Sequence, residues 1–169
     1  FGRAGAFDNN GVVVLPWNTA SVTDMSYMFH GTSSLRALNA LEWETSLVQT
    51  MDSMFREASS FNADVSTWDT QAVTSMAYMF QAAREFTSAG QSTIPWTTNN
   101  VVDMRFMFAD ATLFDGDITS WNTDAVTAMD SMFSSAISFK SDITVWTAAT
   151  TSATNMFENA TVWNRMYYN

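Results

Sequence analysis

The stretch "VTDMSYMFHG", residues 22 to 31, returns four more times as "VQTMDSMFRE" (48–57), "VTSMAYMFQA" (73–82), "VVDMRFMFAD" (101–110) and "VTAMDSMFSS" (126–135). A phrase repeated this often fixes an architecture before it says anything about chemistry. Tryptophan sets the period. Trp17, Trp43, Trp68, Trp96, Trp121 and Trp146 are 26, 25, 28, 25 and 25 residues apart. Repeats of this size form solenoids, in which each unit buries its apolar face only against its neighbours.

Counting forward from each Trp, the second residue is Thr19, Thr45, Thr70, Thr98 and Thr123, and the fifth is Val22, Val48, Val73, Val101 and Val126. Then come Met25, Met51, Met76, Met104 and Met129, followed by the pairs Met28-Phe29, Met54-Phe55, Met79-Phe80, Met107-Phe108 and Met132-Phe133. The sixth copy is one residue shorter and keeps only Met156-Phe157. Met51, Met54, Phe55 and Ala58 fall at i, i+3, i+4 and i+7, which predicts one face of a two-turn helix. Methionine suits such a row because its unbranched thioether fills irregular gaps. These Met and Phe columns are read as structural core.

After the predicted helix the period changes to two. In "FNADVSTW", Phe61 and Val65 share one face while Asn62, Asp64 and Ser66 share the other, and "FDGDITSW" and "FKSDITVW" repeat the pattern. Such alternation predicts one strand per repeat and a narrow parallel sheet along the stack. The expected organisation is an N-terminal cap over residues 1–16, repeats over 17–160, and a C-terminal cap or tail over 161–169. Insertions at "LRALNALEW" and "FTSAGQSTIPW", the latter with Gly90 and Pro95, should bulge outward near a binding face.

These residues resemble the repeat of the BspA-like bacterial surface protein family, a branch related to leucine-rich repeats. Its units read W-[DN]-T-x-x-V-T-x-M-x-x-M-F-x-x-A-x-x-F-N-x-D-[IV]-S-x-W, and "WDTQAVTSMAYMFQAA" and "FNADVSTWDT" match almost letter for letter. The resemblance implies a leucine-rich-repeat-like α/β solenoid on a secreted or cell-surface protein. It also implies adhesion or protein–protein contact without catalysis.

Composition narrows the function classes. The chain has 169 residues, 47% of them hydrophobic, with 12 Met, 13 Phe and 7 Trp. Only 14% are charged, and the formal net charge is -10. Nucleic acid binding needs clustered Lys and Arg, whereas Arg3, Arg36, Arg56, Arg84, Arg105, Lys140 and Arg165 are scattered. No apolar run approaches the ~20 residues that span a bilayer, and no signal-peptide pattern opens the sequence. Cysteine is absent, which removes thiol chemistry, disulfides and sulfur-ligated metals.

Positions alike in every copy are explained by stacking, so a site should be an outward column or a lone departure. His30, the only histidine, aligns with Arg56, Gln81, Ala109, Ser134 and Glu158, a chemically mixed set that predicts a solvated surface. Asn39, Asp64, Asp117 and Asp142, with Ser92, form a column four residues before the Trp. Adjacent carboxylates there could share a hard cation, but backbone hydrogen bonding in a turn is the simpler expectation. Thr19, Thr45, Thr70, Thr98 and Thr123 form a second candidate outward column, which could bind ice or serve as a hydrogen-bonded ladder. No catalytic residue, metal site or cofactor is expected. The leading expectation is an interaction or adhesion module with a protein partner, or second a glycan. The alternative is an architectural subunit of a larger assembly in another compartment, and the third is an ice- or glycan-binding surface.

Overall fold

A computed structural model describes residues 17–36, 43–146 and 152–167. The repeats lie one upon another, and the stacking is carried by turns. In the second repeat, Met54 N–H donates to Met51 C=O (3.2 Å), Arg56 to Ser53 (3.2 Å) and Ala58 to Phe55 (3.1 Å). All are i to i+3 bonds, the signature of β-turns. The intervening residues donate onward: Met51 to Ser75 C=O, Ser53 to Ala77, Phe55 to Met79 and Glu57 to Gln81, at 3.1, 2.9, 2.9 and 2.7 Å. Alternate amides therefore close a turn or tie the repeat to the next one. All five junctions between successive repeats carry this four-rung set, from Met25 N–H on Thr50 C=O to Ser135 N–H on Glu158 C=O.

The expected α/β architecture, a leucine-rich-repeat-like solenoid of strand-plus-short-helix turns with a narrow parallel sheet, is not what forms. Among the described residues, helix is confined to a 3-10 turn at Ser88–Gly90 and to α1, Thr161–Tyr167. No strand is present among them. Parallel pairing is reduced to single bridges, Asp24 with Thr50, Thr50 with Ser75, Ser75 with Asp103, Asp103 with Ala128, Ala128 with Ser152, and separately Thr93 with Asp117.

The reason lies in two recurring backbone positions. Tyr27, Ser53, Tyr78, Phe106, Ser131 and Asn155 have φ between 53° and 60°, and four residues later so do Glu57, Ala82, Asp110, Ser135 and Asn159, with φ between 57° and 61°. Gly31 holds that second position in the first copy, at φ 72°. A left-handed residue cannot continue a right-handed helix, but it is what the third position of a type II turn requires. Two successive turns, 51–54 and 55–58, place their corner residues inside at i, i+3, i+4 and i+7. That is the spacing of a helical face, produced without a helix.

The core reading stands although the element changes. Met51, Met54, Phe55, Met76, Met79, Phe80, Met104, Met107, Phe108, Met132 and Phe133 are fully buried. Met25 and Met129 are nearly so, and Met28 is half-buried against the cluster. Aromatic rings form three columns along the stack. Phe29, Phe55, Phe80, Phe108, Phe133 and Phe157 follow one another at 5.5–5.8 Å between centroids. Phe61, Phe86, Phe114 and Phe139 run alongside at 5.9–6.0 Å. Trp17, Trp43, Trp68, Trp96, Trp121 and Trp146 follow one another at 5.7–6.4 Å. Each pair of neighbouring planes is close to parallel, the offset geometry that aromatic quadrupoles favour.

The predicted strands keep their in-and-out alternation. Phe61, Ala63 and Val65 are buried while Asn62, Asp64 and Ser66 are partly exposed. Turns on either side, Phe61 N–H on Ala58 C=O and Trp68 N–H on Val65 C=O, stop a ladder from forming. At the far end α1 places Trp163 on Phe157, with centroids 3.6 Å apart, and its indole N–H donates to Ser141 C=O at 3.1 Å. The expected N-terminal cap, residues 1–16, lies outside the described residues.

Candidate functional site

The threonine column is the clearest correction to the expected surface. Thr19, Thr45, Thr70, Thr98 and Thr123 are 1–5% exposed and therefore face inward. Three of their hydroxyls donate to a carbonyl of the next repeat: Thr45 to Asp69 (2.9 Å), Thr70 to Thr97 (3.0 Å) and Thr98 to Asn122 (2.8 Å). Their uniformity reflects a buried polar ladder whose hydroxyls need a partner. His30 is also misplaced by the sequence reading: it is 9% exposed, with Nε2 3.7 Å from Glu57 Oε1 and its ring against Tyr27.

The aspartate column behaves as turn chemistry. Asp64 Oδ1 accepts from Ser66 N–H at 2.9 Å. Asp117 Oδ1 accepts from Thr119 N–H and Oγ1 at 2.9 and 2.7 Å, and Asp142 Oδ1 from Thr144 N–H and Oγ1 at 3.1 and 2.6 Å. The Thr119 amide and hydroxyl hold the Asp117 carboxyl below the usual carboxylate range. The Thr144 hydroxyl and amide do the same for Asp142. Among the described residues no group of three or more His, Asp or Glu side chains is arranged to hold a metal ion. Asn39 lies outside the described residues.

What brings candidate residues together is the Gly90 insertion. Its three successive left-handed residues, Ser88, Ala89 and Gly90, have φ of 52°, 53° and 81°. One side chain from the repeat below pins the loop. Asn62 Oδ1 accepts from Thr87 N–H, Thr87 Oγ1 and Ala89 N–H at 3.0, 3.1 and 2.7 Å. The inserted segment then forms one wall of an open groove, with Gly90, Gln91 and Ser92 on that side. Asp115, Gly116, Asp117, Lys140 and Asp142 come from the next two repeats, and Met166 comes from α1. Leu113 and Met166 are 50% and 52% exposed there.

Lys140 reaches Asp115 across neighbouring repeats. Gly116, which lines the groove, sits where an added Cβ would lie 3.2 Å from the Phe114 ring and 3.3 Å from the Ile94 side chain, a tight fit that those side chains would have to shift to accept. Column reasoning found Asp117, Asp142 and the Gly90 loop. It missed Leu113, Lys140 and Met166, which depart from their columns. The lone lysine of the chain was the one available signal for them.

No curated protein and no solved structure matches the chain. A family model does match it twice, over residues 1–94 and 87–169, and its description reads "Mycoplasma protein of unknown function, DUF285". The two matches together cover the whole sequence, and the chain belongs to this DUF285 family of Mycoplasma proteins of unknown function.

Proposed function

We propose that the chain is a non-catalytic interaction or adhesion module of a secreted or cell-surface protein, and that the groove beside the Gly90 insertion is its binding face. The observation that carries this reading is convergence. The one insertion with described structure, two of the column aspartates, the single lysine and two exposed apolar side chains line the same open surface. Such a mixture of apolar anchors with a polar rim is the usual make-up of a protein-contact patch. The BspA-like form of the repeat supports placement at the cell surface. The polar groups that chemistry would recruit are instead spent on the stack, since the aspartates accept turn amides and the threonines donate to carbonyls.

Binding of the purified chain to immobilised extracellular proteins and glycans tests the proposal. A Leu113→Asp, Met166→Asp double variant should lose whatever binding the wild type shows, with an unchanged circular dichroism spectrum. Retention of full binding by that variant removes the groove from consideration, and absence of wild-type binding across the panel removes the adhesion reading.

A further inference from the structure

The groove beside the Gly90 insertion carries an unbalanced charge. Among the described residues that line it, the carboxylates of Asp115, Asp117 and Asp142 are set against one basic side chain, Lys140. That lysine is already committed, since its ammonium pairs with Asp115. Asp117 and Asp142 form no ion pair among the described residues. Each spends one carboxylate oxygen on its own turn. Asp117 Oδ1 takes both Thr119 donors and Asp142 Oδ1 both Thr144 donors, and neither Oδ2 has a hydrogen bond among the described residues. The two aspartates hold the same place in adjacent repeats, where the neighbouring Phe114 and Phe139 rings are 5.9 Å apart. Like charges along one wall of a cleft focus a negative potential into it.

Apolar surface lies beside that charge. Leu113 and Met166, each about half exposed, line the same groove, whose volume is about 790 Å³. A bare metal ion would find no group of three acidic or histidine ligands among the described residues and would leave the leucine and methionine wet. A ligand that satisfies both features carries positive charge and apolar side chains together.

Building on the reading of this groove as a binding face, we propose that its partner is a cationic polypeptide segment, with Lys or Arg side chains on Asp117 and Asp142 and an apolar side chain against Leu113 and Met166. The free Oδ2 atoms accept from an ammonium or a guanidinium, a charge-assisted bond stronger than a neutral one. The net charge of -10 attracts such a partner from a distance and turns acidic ones away.

Fluorescence anisotropy with a labelled peptide of alternating lysine and leucine tests the proposal, beside its glutamate-for-lysine counterpart and a lysine-only peptide of equal charge. The wild type should bind the first, show no binding of the second, and hold the third at least about tenfold more weakly. Added salt should weaken the binding. An Asp117→Asn, Asp142→Asn double variant keeps both Oδ1 acceptors, so its turns persist, and its affinity should fall by about tenfold or more. An Asp110→Asn, Glu158→Gln control removes the same charge at exposed positions outside the groove and should change affinity by less than about twofold, because salt screens distant charges. Equal losses in the two double variants, equal binding of the lysine-only peptide, or no binding of the lysine–leucine peptide would each overturn the proposal. The groove itself survives that failure if the chain holds another partner that Leu113→Asp, Met166→Asp releases, and falls with it if the chain holds none.

Discussion

Within each repeat the segment from the Met-Phe pair to the small residue and the segment leading to the next Trp are built on different terms. The first is the same in every copy, with two left-handed residues, alternating turn bonds and four rungs to the neighbour. The second varies in length, and its inter-repeat contacts differ from junction to junction, a few backbone bonds such as Ile94 N–H on Asp117 C=O and Glu85 N–H on Ser59 C=O joining side-chain contacts from Asn62, Asp64 with Gln91 at 3.0 Å, and Lys140 with Asp115. A regular set of backbone bonds carries the stack on one side, and an irregular mixture of backbone and side-chain bonds fits it to sequence on the other. Variation, and with it the groove, is confined to the side where no rung is lost.

The strongest test of this division is Phe80→Ala. Phe80 touches Phe55, Phe86 and Phe108 at 5.6, 4.0 and 5.7 Å and is fully buried. Its removal should cost about 3–5 kcal/mol in chemical denaturation, and a cost under about 1 kcal/mol would contradict the columnar core. Next is Asn62→Ala, which strips the partners of Thr87 and Ala89 in the insertion. A loss of about 1–3 kcal/mol is expected, and hydrogen exchange should quicken around residues 87–91 and leave the Met-Phe rungs protected.

A pair of neighbouring substitutions sharpens the conserved side. Ala82 is left-handed at φ 57°, a conformation costing a non-glycine residue about 1–2 kcal/mol. Ala82→Gly relieves that cost but gives back about 0.4–1 kcal/mol of unfolded-chain freedom, so stability should hold or rise by up to about 1.5 kcal/mol. Ala83 is buried and not left-handed. Ala83→Gly should cost about 1–2 kcal/mol from lost methyl burial and added chain entropy. Equal effects of the two changes in thermal unfolding would refute the assigned turn conformations.

The smallest effect belongs to acid. Asp24, Asp117, Asp130 and Asp142 titrate below the usual carboxylate value because hydroxyl and amide donors stabilise their charged forms. Each lies lower folded than unfolded. Their contribution is therefore complete above about pH 4, the unfolded value, and fades as pH falls through the folded values. Between pH 5 and 7 the melting temperature should be flat with respect to these groups, and an Asp117→Asn variant should show a weaker decline below pH 4.

The periodicity exposed which residues are inside far better than which elements hold them. Met51, Met54, Phe55 and Ala58 are all buried, yet their spacing is shared by a helical face and by the corners of two consecutive turns. Only the backbone at Ser53 and Glu57 separates the two, and serine and glutamate carry no left-handed signature. Gly31 in the first copy and the asparagines Asn155 and Asn159 in the last were the visible hint. The strand reading failed similarly, because alternation at Phe61, Ala63 and Val65 is real while the flanking turns leave no room for a ladder. The threonines looked outward since a buried hydroxyl is costly alone, and its acceptor belongs to the next repeat, which no single unit of sequence displays. The groove was half legible, through Asp117, Asp142 and the Gly90 loop. The rest comes from residues that break their columns.

The rungs also have an electrical meaning. In each of them the N–H points toward the C-terminal end of the stack and the carbonyl toward the N-terminal end, against one to three bonds per junction running the other way, such as Thr74 N–H on Gln49 C=O and Glu85 N–H on Ser59 C=O. Peptide dipoles of about 3.5 D each, added along an axis, leave partial charges at its ends. Here the positive pole falls beside Asn155 and Phe157 and the negative pole beside Asp24, the reverse of an α-helix, so an otherwise acidic molecule carries a patch of opposite polarity at one tip.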